Sequence, residues 1–194
     1  MSHLHIVLAS QSPRRRELLE LMQIPFSTVP AAIDEQFDPE LTVEENVMAV
    51  AEQKARYSAM KIDIDLRESV ILGADTTVVL GETSLGKPRS FDDAGGMLAK
   101  LQGKTHEVKT GFALLEGNRC HKDCVTTRVT FSPMTEQEIK QYIETQQPFD
   151  KAGGYGIQDP FISCFIQRIE GCYYNVVGLP LSQIYSVLCR IGRI

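Results

Sequence analysis

Apolar residues fill positions 4–9 apart from His5, the length of a short buried strand, and Ser10-Gln11-Ser12-Pro13 follows at once. Ser12 is a good N-cap and Pro13 fits a first helical position, so a helix is predicted through about residue 22. A short strand at 26–29 enters Pro30, and an acidic loop covers 33–41. Thr42 with Glu45 forms a capping box that opens a helix to about residue 60, with Val43, Val47, Val50 and Ala51 as its apolar stripe. A polar linker is predicted at 61–68 and a long apolar strand at 70–80. A loop through Gly81, Gly86 and Pro88 leads to Ser90, which caps a helix to about residue 101. Strands at 105–115 and 120–131 join at Gly117-Asn118, and Thr135 with Glu138 starts a helix to about residue 145. A glycine-rich loop at 150–158 precedes a predicted hairpin at 161–169 and 172–177, and Gly178-Leu179-Pro180 opens a terminal helix. Intermingled strands and helices with hairpins predict an α/β fold on a mixed sheet.

Composition narrows the class. A chain of 194 residues with 43% hydrophobic and 23% charged content reads as one globular domain over 1–194. A net charge of −5 argues against a stable nucleic-acid partner, so any anion is handled by a local basic pocket. No apolar run approaches a membrane span and no leader pattern is seen. Five cysteines, an odd number, point to reduced thiols and a cytoplasmic location. The Cys120 to Cys124 stretch has only half the spacing of a zinc site and reads as hairpin.

Three features carry candidate chemistry. Ser10, Ser12, Arg14, Arg15 and Arg16 cluster where a strand hands over to a helix N-terminus. Backbone donors and the helix dipole favour an anion there, and guanidinium forks suit phosphate oxygens. A solvated basic first turn is the competing reading. Asp75 sits inside an apolar strand run, where a carboxylate is costly unless paired, metal-bound or exposed. Either the strand breaks there at a solvated turn, or the chain makes an excursion to a site. Lys54 falls on the apolar stripe of its helix, and either snorkels to water or reaches an anion. Lys87 in Gly86-Lys87-Pro88, Lys151, Glu35 and Asp150 add charges that individually read as surface. Gly103-Lys104-Thr105 is no P-loop, because the upstream glycine is Leu98, and Gly154-Tyr155-Gly156 is no dinucleotide fingerprint, because Asp159 stands where glycine is required.

Leu-Ala-Ser10-Gln-Ser12-Pro-Arg14-Arg15, Ile-Asp-Glu35, Glu52-Gln-Lys54-Ala, Gly-Ala-Asp75-Thr76, Gly-Lys87-Pro, Asp150-Lys-Ala-Gly-Gly-Tyr-Gly-Ile-Gln158 and Val-Val-Gly-Leu-Pro180 occur in one order. As a set they resemble the Maf family of nucleoside triphosphate pyrophosphatases, also described as septum-formation inhibitors. The resemblance implies a fold similar to the inosine triphosphatases, with two lobes around a deep cleft, and a homodimer. It also implies Mg²⁺- or Mn²⁺-dependent cleavage of a nucleotide to monophosphate and pyrophosphate. Arg14, Thr76 and Gln158 look like the branch acting on dTTP and UTP. The 7-methyl-GTP branch carries Trp in place of Arg14, and this chain has no Trp. On this reading Ser10, Ser12, Arg14, Arg15, Lys54 and Lys87 bind phosphates, and Thr76 and Gln158 bind the base. Glu35 and Asp75 meet the metal, and Asp75 is the proton acceptor. A binding regulator of cell division with little catalysis is the alternative expectation. The departure from the family pattern is the third arginine, Arg16.

Overall fold

The two apolar runs nearest the N-terminus become neighbouring parallel strands. In a computed structural model that describes residues 4–62 and 69–194, β1 (His5–Leu8) lies between β2 (Phe26–Thr28) and β3 (Ser69–Leu80). Ile6 pairs with Phe26 on one side and Val70 on the other, both ladders parallel. The sheet continues from β3 to β5 (Thr105–Glu116), β6 (Arg119–Phe131) and β7 (Ile166–Glu170). β4 (Thr83–Leu85) pairs antiparallel with β3, and β7 antiparallel with β6, which makes the seven-stranded sheet mixed, as expected. The helices are α1 (Pro13–Glu20), α2 (Val43–Ala59), α3 (Phe91–Leu101), α4 (Glu136–Gln146), α5 (Tyr173–Val177) and α6 (Leu181–Arg190). From residue 63 on, the expected linker lies outside the described residues.

The predicted caps are formed. Ser12 and Ser90 accept N–H bonds from the first turns of α1 and α3. Thr42 and Glu45 close a capping box on α2, and Thr135 and Glu138 close one on α4. Both glutamates are held below the usual carboxylate range by the bonds they accept from the capping threonines.

Three expectations are corrected. β3 has no break at Asp75 and makes no excursion there; the strand runs its full twelve residues. The loop after Gly81 contains the short strand β4, whose Thr83–Leu85 was missed. No hairpin spans 161–177. A 3₁₀ turn covers Ile162–Phe165, β7 follows, and 173–177 is the helix α5. Gly171, at φ 128°, turns the chain after β7. Asn175 is then buried and donates to Val108 O at 3.0 Å and Thr127 Oγ1 at 3.0 Å, bonds that outweigh the strand preference of the surrounding Tyr and Val.

The chain forms two compact units, one of residues 1–75, 110–125 and 178–194, the other of 76–109 and 126–177. The first is built on Val7, Ala9, Ala55, Ile71 and Leu115. Here α2 lies directly on the strands. A Cβ at Gly73 would collide with the Ala51 carbonyl oxygen, and one at Gly111 would come within 2.5 Å of the Val47 carbonyl carbon. In the second unit α3 and α4 bury Leu98, Leu101, Tyr142 and Ile143. His106 packs edge-on to Phe131 and Tyr155 and shares a 2.7 Å hydrogen bond with the Tyr155 hydroxyl. Burial pushes the His106 imidazole down to about 4, so it is neutral at physiological pH.

Contrasting glycines test the close approach of α2. Gly73→Ala should cost about 3 kcal/mol in urea unfolding, because backbone rather than a side chain must move. Gly96→Ala, in α3 with open space around it, should instead stabilise by roughly 1 kcal/mol. A Gly73→Ala protein within 1 kcal/mol of the parent, an amount taken as roughly the reach of ordinary substitutions, would contradict the packing described.

Candidate active site

β1 ends at Leu8, and the chain turns through Ser10 before α1 begins. Ser12 N–H donates to Ser10 Oγ at 3.1 Å, and Arg15 N–H donates to Ser12 Oγ at 3.5 Å. The two hydroxyls therefore shape the turn as well as lining it. The three arginines separate by position. Arg14 and Arg15 are half-buried and Arg16 is exposed. Arg15 turns inward, and its Nε donates to Gly178 O at 2.9 Å. Burial lowers the Arg15 guanidinium from its ordinary value, while the Asp75 and Glu35 carboxylates pull it back up. An arginine so placed stays charged.

Lys54 does not snorkel. It is 5% exposed, and its Nζ donates to Asp75 Oδ1 at 2.8 Å and to Ala74 O at 3.4 Å. The same Nζ lies 2.9 Å from Glu35 Oε1. Asp75 is 6% exposed, and the Glu35 side chain, on the loop before α2, is 36% exposed. One ammonium thus gathers a buried and a half-exposed carboxylate. That answers how Asp75 is tolerated inside an apolar strand.

Thr76, Lys87 and Gln158 belong to the second unit. Thr76 is half-buried, while Lys87 and Gln158 are exposed. Gly153 N–H donates to Gly86 O at 2.9 Å, which ties the turn carrying Lys87 to the glycine-rich loop. Gly153 and Gly154 take positive φ of 70° and 72°, and a Cβ on Gly153 would strike Val78 of β3. The loop before Gln158 is fixed by two residues that sequence reasoning did not single out for this role. The Tyr142 hydroxyl donates to Asp159 Oδ2 at 2.5 Å and accepts from Gly156 N–H at 3.0 Å. Burial, and then the Asp159 bond, push the Tyr142 phenol up, so it remains a donor. Lys151 Nζ stands 3.6 Å from Asp159 and 3.3 Å from Asp150. A tyrosine on the buried face of α4 needs a hydroxyl partner, which was the signal available.

The structure therefore gathers Glu35, Lys54 and Asp75 by direct contact and places Ser10, Ser12, Arg14 and Arg15 in the same unit. It sets Lys87 beside the loop of Gln158 in the other unit. Chemically, the first group offers backbone and guanidinium donors for an anion and two carboxylates for a proton or a hard cation. Among the described residues no three His, Cys, Asp or Glu side chains cluster as a metal cage. Glu35 and Asp75 fit a divalent cation as two oxygen ligands, with the rest of its shell supplied by a phosphate-bearing ligand and water.

Removing the shared cation should be costly. Lys54→Met is expected to destabilise by about 3 kcal/mol, because it strands a buried carboxylate. Lys54→Met combined with Asp75→Asn should lose less than the sum of the single changes, with a coupling of about 1–3 kcal/mol. Additive losses in urea unfolding would show that the pair is not coupled.

The profile of a family described as Maf-like protein matches residues 5–191. A protein of Chlorobaculum tepidum named dTTP/UTP pyrophosphatase is 55% identical over 187 residues, covering 96% of this chain and 95% of that one. A protein of the same name from Chlorobaculum parvum is 54% identical over 183 residues, covering 94% and 92%. Among solved structures, the Staphylococcus aureus Ham1 protein aligns over 66% of this chain and 71% of its own, at 15% identity and a TM-score of 0.46, a likeness too loose to add to these.

Proposed function

The chain belongs to the Maf family, and on that premise we propose that it hydrolyses dTTP and UTP to the monophosphate and pyrophosphate. The role is removal of these or of modified pyrimidine nucleotides from the nucleotide pool. Near full-length relatives that carry the name dTTP/UTP pyrophosphatase support the substrate. The observation that carries the chemistry is Lys54 Nζ held between Glu35 and Asp75, at 2.9 and 2.8 Å.

Arg14, with the backbone donors of the Ser12-capped first turn, holds phosphate oxygens, and Ser10 and Ser12 fix that turn. Arg15 adds positive charge from within, and Lys54 and Lys87 oppose the remaining phosphate charge. Asp75, oriented by Lys54, takes a proton from water as its oxygen attacks phosphorus. The new P–O bond forms as the bond to pyrophosphate breaks, and the electron pair leaves with the pyrophosphate oxygen. Glu35 and Asp75 would hold Mg²⁺ or Mn²⁺, which would supply Lewis-acid polarisation of phosphorus and charge stabilisation of the leaving pyrophosphate. Thr76 and Gln158 pair with the pyrimidine edge, and a wrong base leaves those groups unpaired. The resemblance supports a homodimer in the cytoplasm. No helix among the described residues is long and apolar enough to cross a membrane.

The test is pyrophosphate release over all nucleoside triphosphates with Mg²⁺ and with Mn²⁺. dTTP and UTP should be preferred over purine nucleotides and 7-methyl-GTP, and chelation should abolish turnover. Asp75→Asn should lose roughly 10²–10⁴-fold in kcat while remaining folded. Equal specificity constants for dTTP and dATP would reject the substrate assignment, and a flat result for every nucleotide would reject the enzyme.

The arginines give a separate comparison. Arg14→Ala should cost ten- to a hundredfold in kcat/KM for dTTP, taking a charged hydrogen bond at ~1.5–3 kcal/mol. Arg16→Ala, at an exposed position, should change it by no more than about threefold. Equal losses at one ionic strength would show that Arg14 has no special place at the phosphates.

A further inference from the structure

Away from all of these residues, a concavity of about 430 Å³ is lined by Glu116, Arg119, His121, Arg190 and Ile191. It is built within the first unit, from the ends of β5 and β6 around the Gly117 turn and from the C-terminus of α6. Its single carboxylate is already matched, because Glu116 Oε1 lies 2.5 Å from Arg193 Nη2. Arg119 and Arg190 then bring positive charge to the lining of a chain whose net charge is −5. A helix C-terminus favours a cation, which accounts for Arg190 but not for Arg119 on the strand. His121 supplies a further polar group. Its Nε2 is sealed from solvent and has no hydrogen-bond partner.

We propose that this pocket is a second anion site, taking a compact phosphate-bearing anion of the size of pyrophosphate. Two guanidiniums offer planar forks matched to phosphate oxygens, and the His121 imidazole lies in the same lining. The lining holds no Phe, Tyr or Trp ring to serve as a stacking platform for a base, so the ligand is recognised through its phosphates. The volume lies at the lower end of small-molecule sites and is ample for such an anion.

The experiment follows the His121 imidazole resonances of isotope-labelled protein by NMR while inorganic phosphate or pyrophosphate is added to about 10 mM, a range that captures millimolar binding. The parent protein is compared with Arg119→Gln/Arg190→Gln and with Arg14→Ala, which leaves this pocket intact. His121 should shift and saturate in the parent and in Arg14→Ala. The double variant should need about tenfold more ligand or more, with the initial rate of dTTP hydrolysis, read before product pyrophosphate accumulates, unchanged. Both arginines are exposed, and the single Arg119→Gln serves if the double variant unfolds. No movement of His121, the same movement in the double variant, or an equal response to chloride at matched ionic strength would overturn the proposal. Since the readout is an imidazole rather than turnover, it stands or falls apart from the pyrophosphatase reading.

Discussion

The contact on which the site depends is backbone against backbone. α2 can lie on β3 and β5 only because Gly73 and Gly111 present no side chain to Ala51 and Val47. From Ala51 the helix advances about 4.5 Å to Lys54, and from Gly73 the strand advances about 6.6 Å to Asp75 on the same face. A lysine side chain spans what remains and reaches Oδ1 at 2.8 Å. A methyl group at either glycine would lift the helix and draw the ammonium away from its carboxylate. Two residues with no chemistry of their own thus set the distance between two that have it.

Charge in this part of the molecule is arranged in depth. Asp75 and Lys54 are buried, Glu35 is half-exposed, and Arg15 stands behind them with its Nε on a carbonyl. A buried ion pair by itself stabilises little, because desolvating two ions offsets most of their attraction. Such a cluster makes physical sense where its geometry serves a ligand, since the carboxylates and the ammonium then need not reorganise when charge develops. The adjacent arginines are placed differently. The Arg15 guanidinium donates to the protein's own backbone, and Arg14 is a second half-buried cation of the turn.

Much of the fold was legible because local chemistry and tertiary packing agree. The boundaries of α3, the capping boxes of α2 and α4, and the β5–β6 turn at Gly117 were all readable from side-chain type and spacing. The failures lie where long-range contacts decide. Tyr173 to Val177 has strand composition, yet the bonds of Asn175 to Val108 and Thr127 make it helical. Asp75 suggested an irregular strand because its counter-charge, Lys54, arrives from another element. Lys54 itself was legible as an anomaly on an apolar stripe, but nothing local says which carboxylates it meets. The candidate chemistry stood out as residue types in an order. The inward turn of Arg15 and the Tyr142–Asp159 clamp are properties of the assembled chain.

The bond from Arg15 to the Gly178 carbonyl joins residues 163 apart in the chain. A nascent polypeptide leaving the ribosome therefore carries the Ser10–Arg16 turn long before the acceptor that anchors it exists. Strand β1 meets the same delay on a smaller scale, since its partner β3 starts only at Ser69. Pairings so distant in sequence make loop closure slow and leave early segments waiting. Until then the Arg15 side chain lacks the carbonyl that its Nε meets in the folded chain. The inward placement of Arg15 is complete only once Gly178 has been made and brought back to the turn.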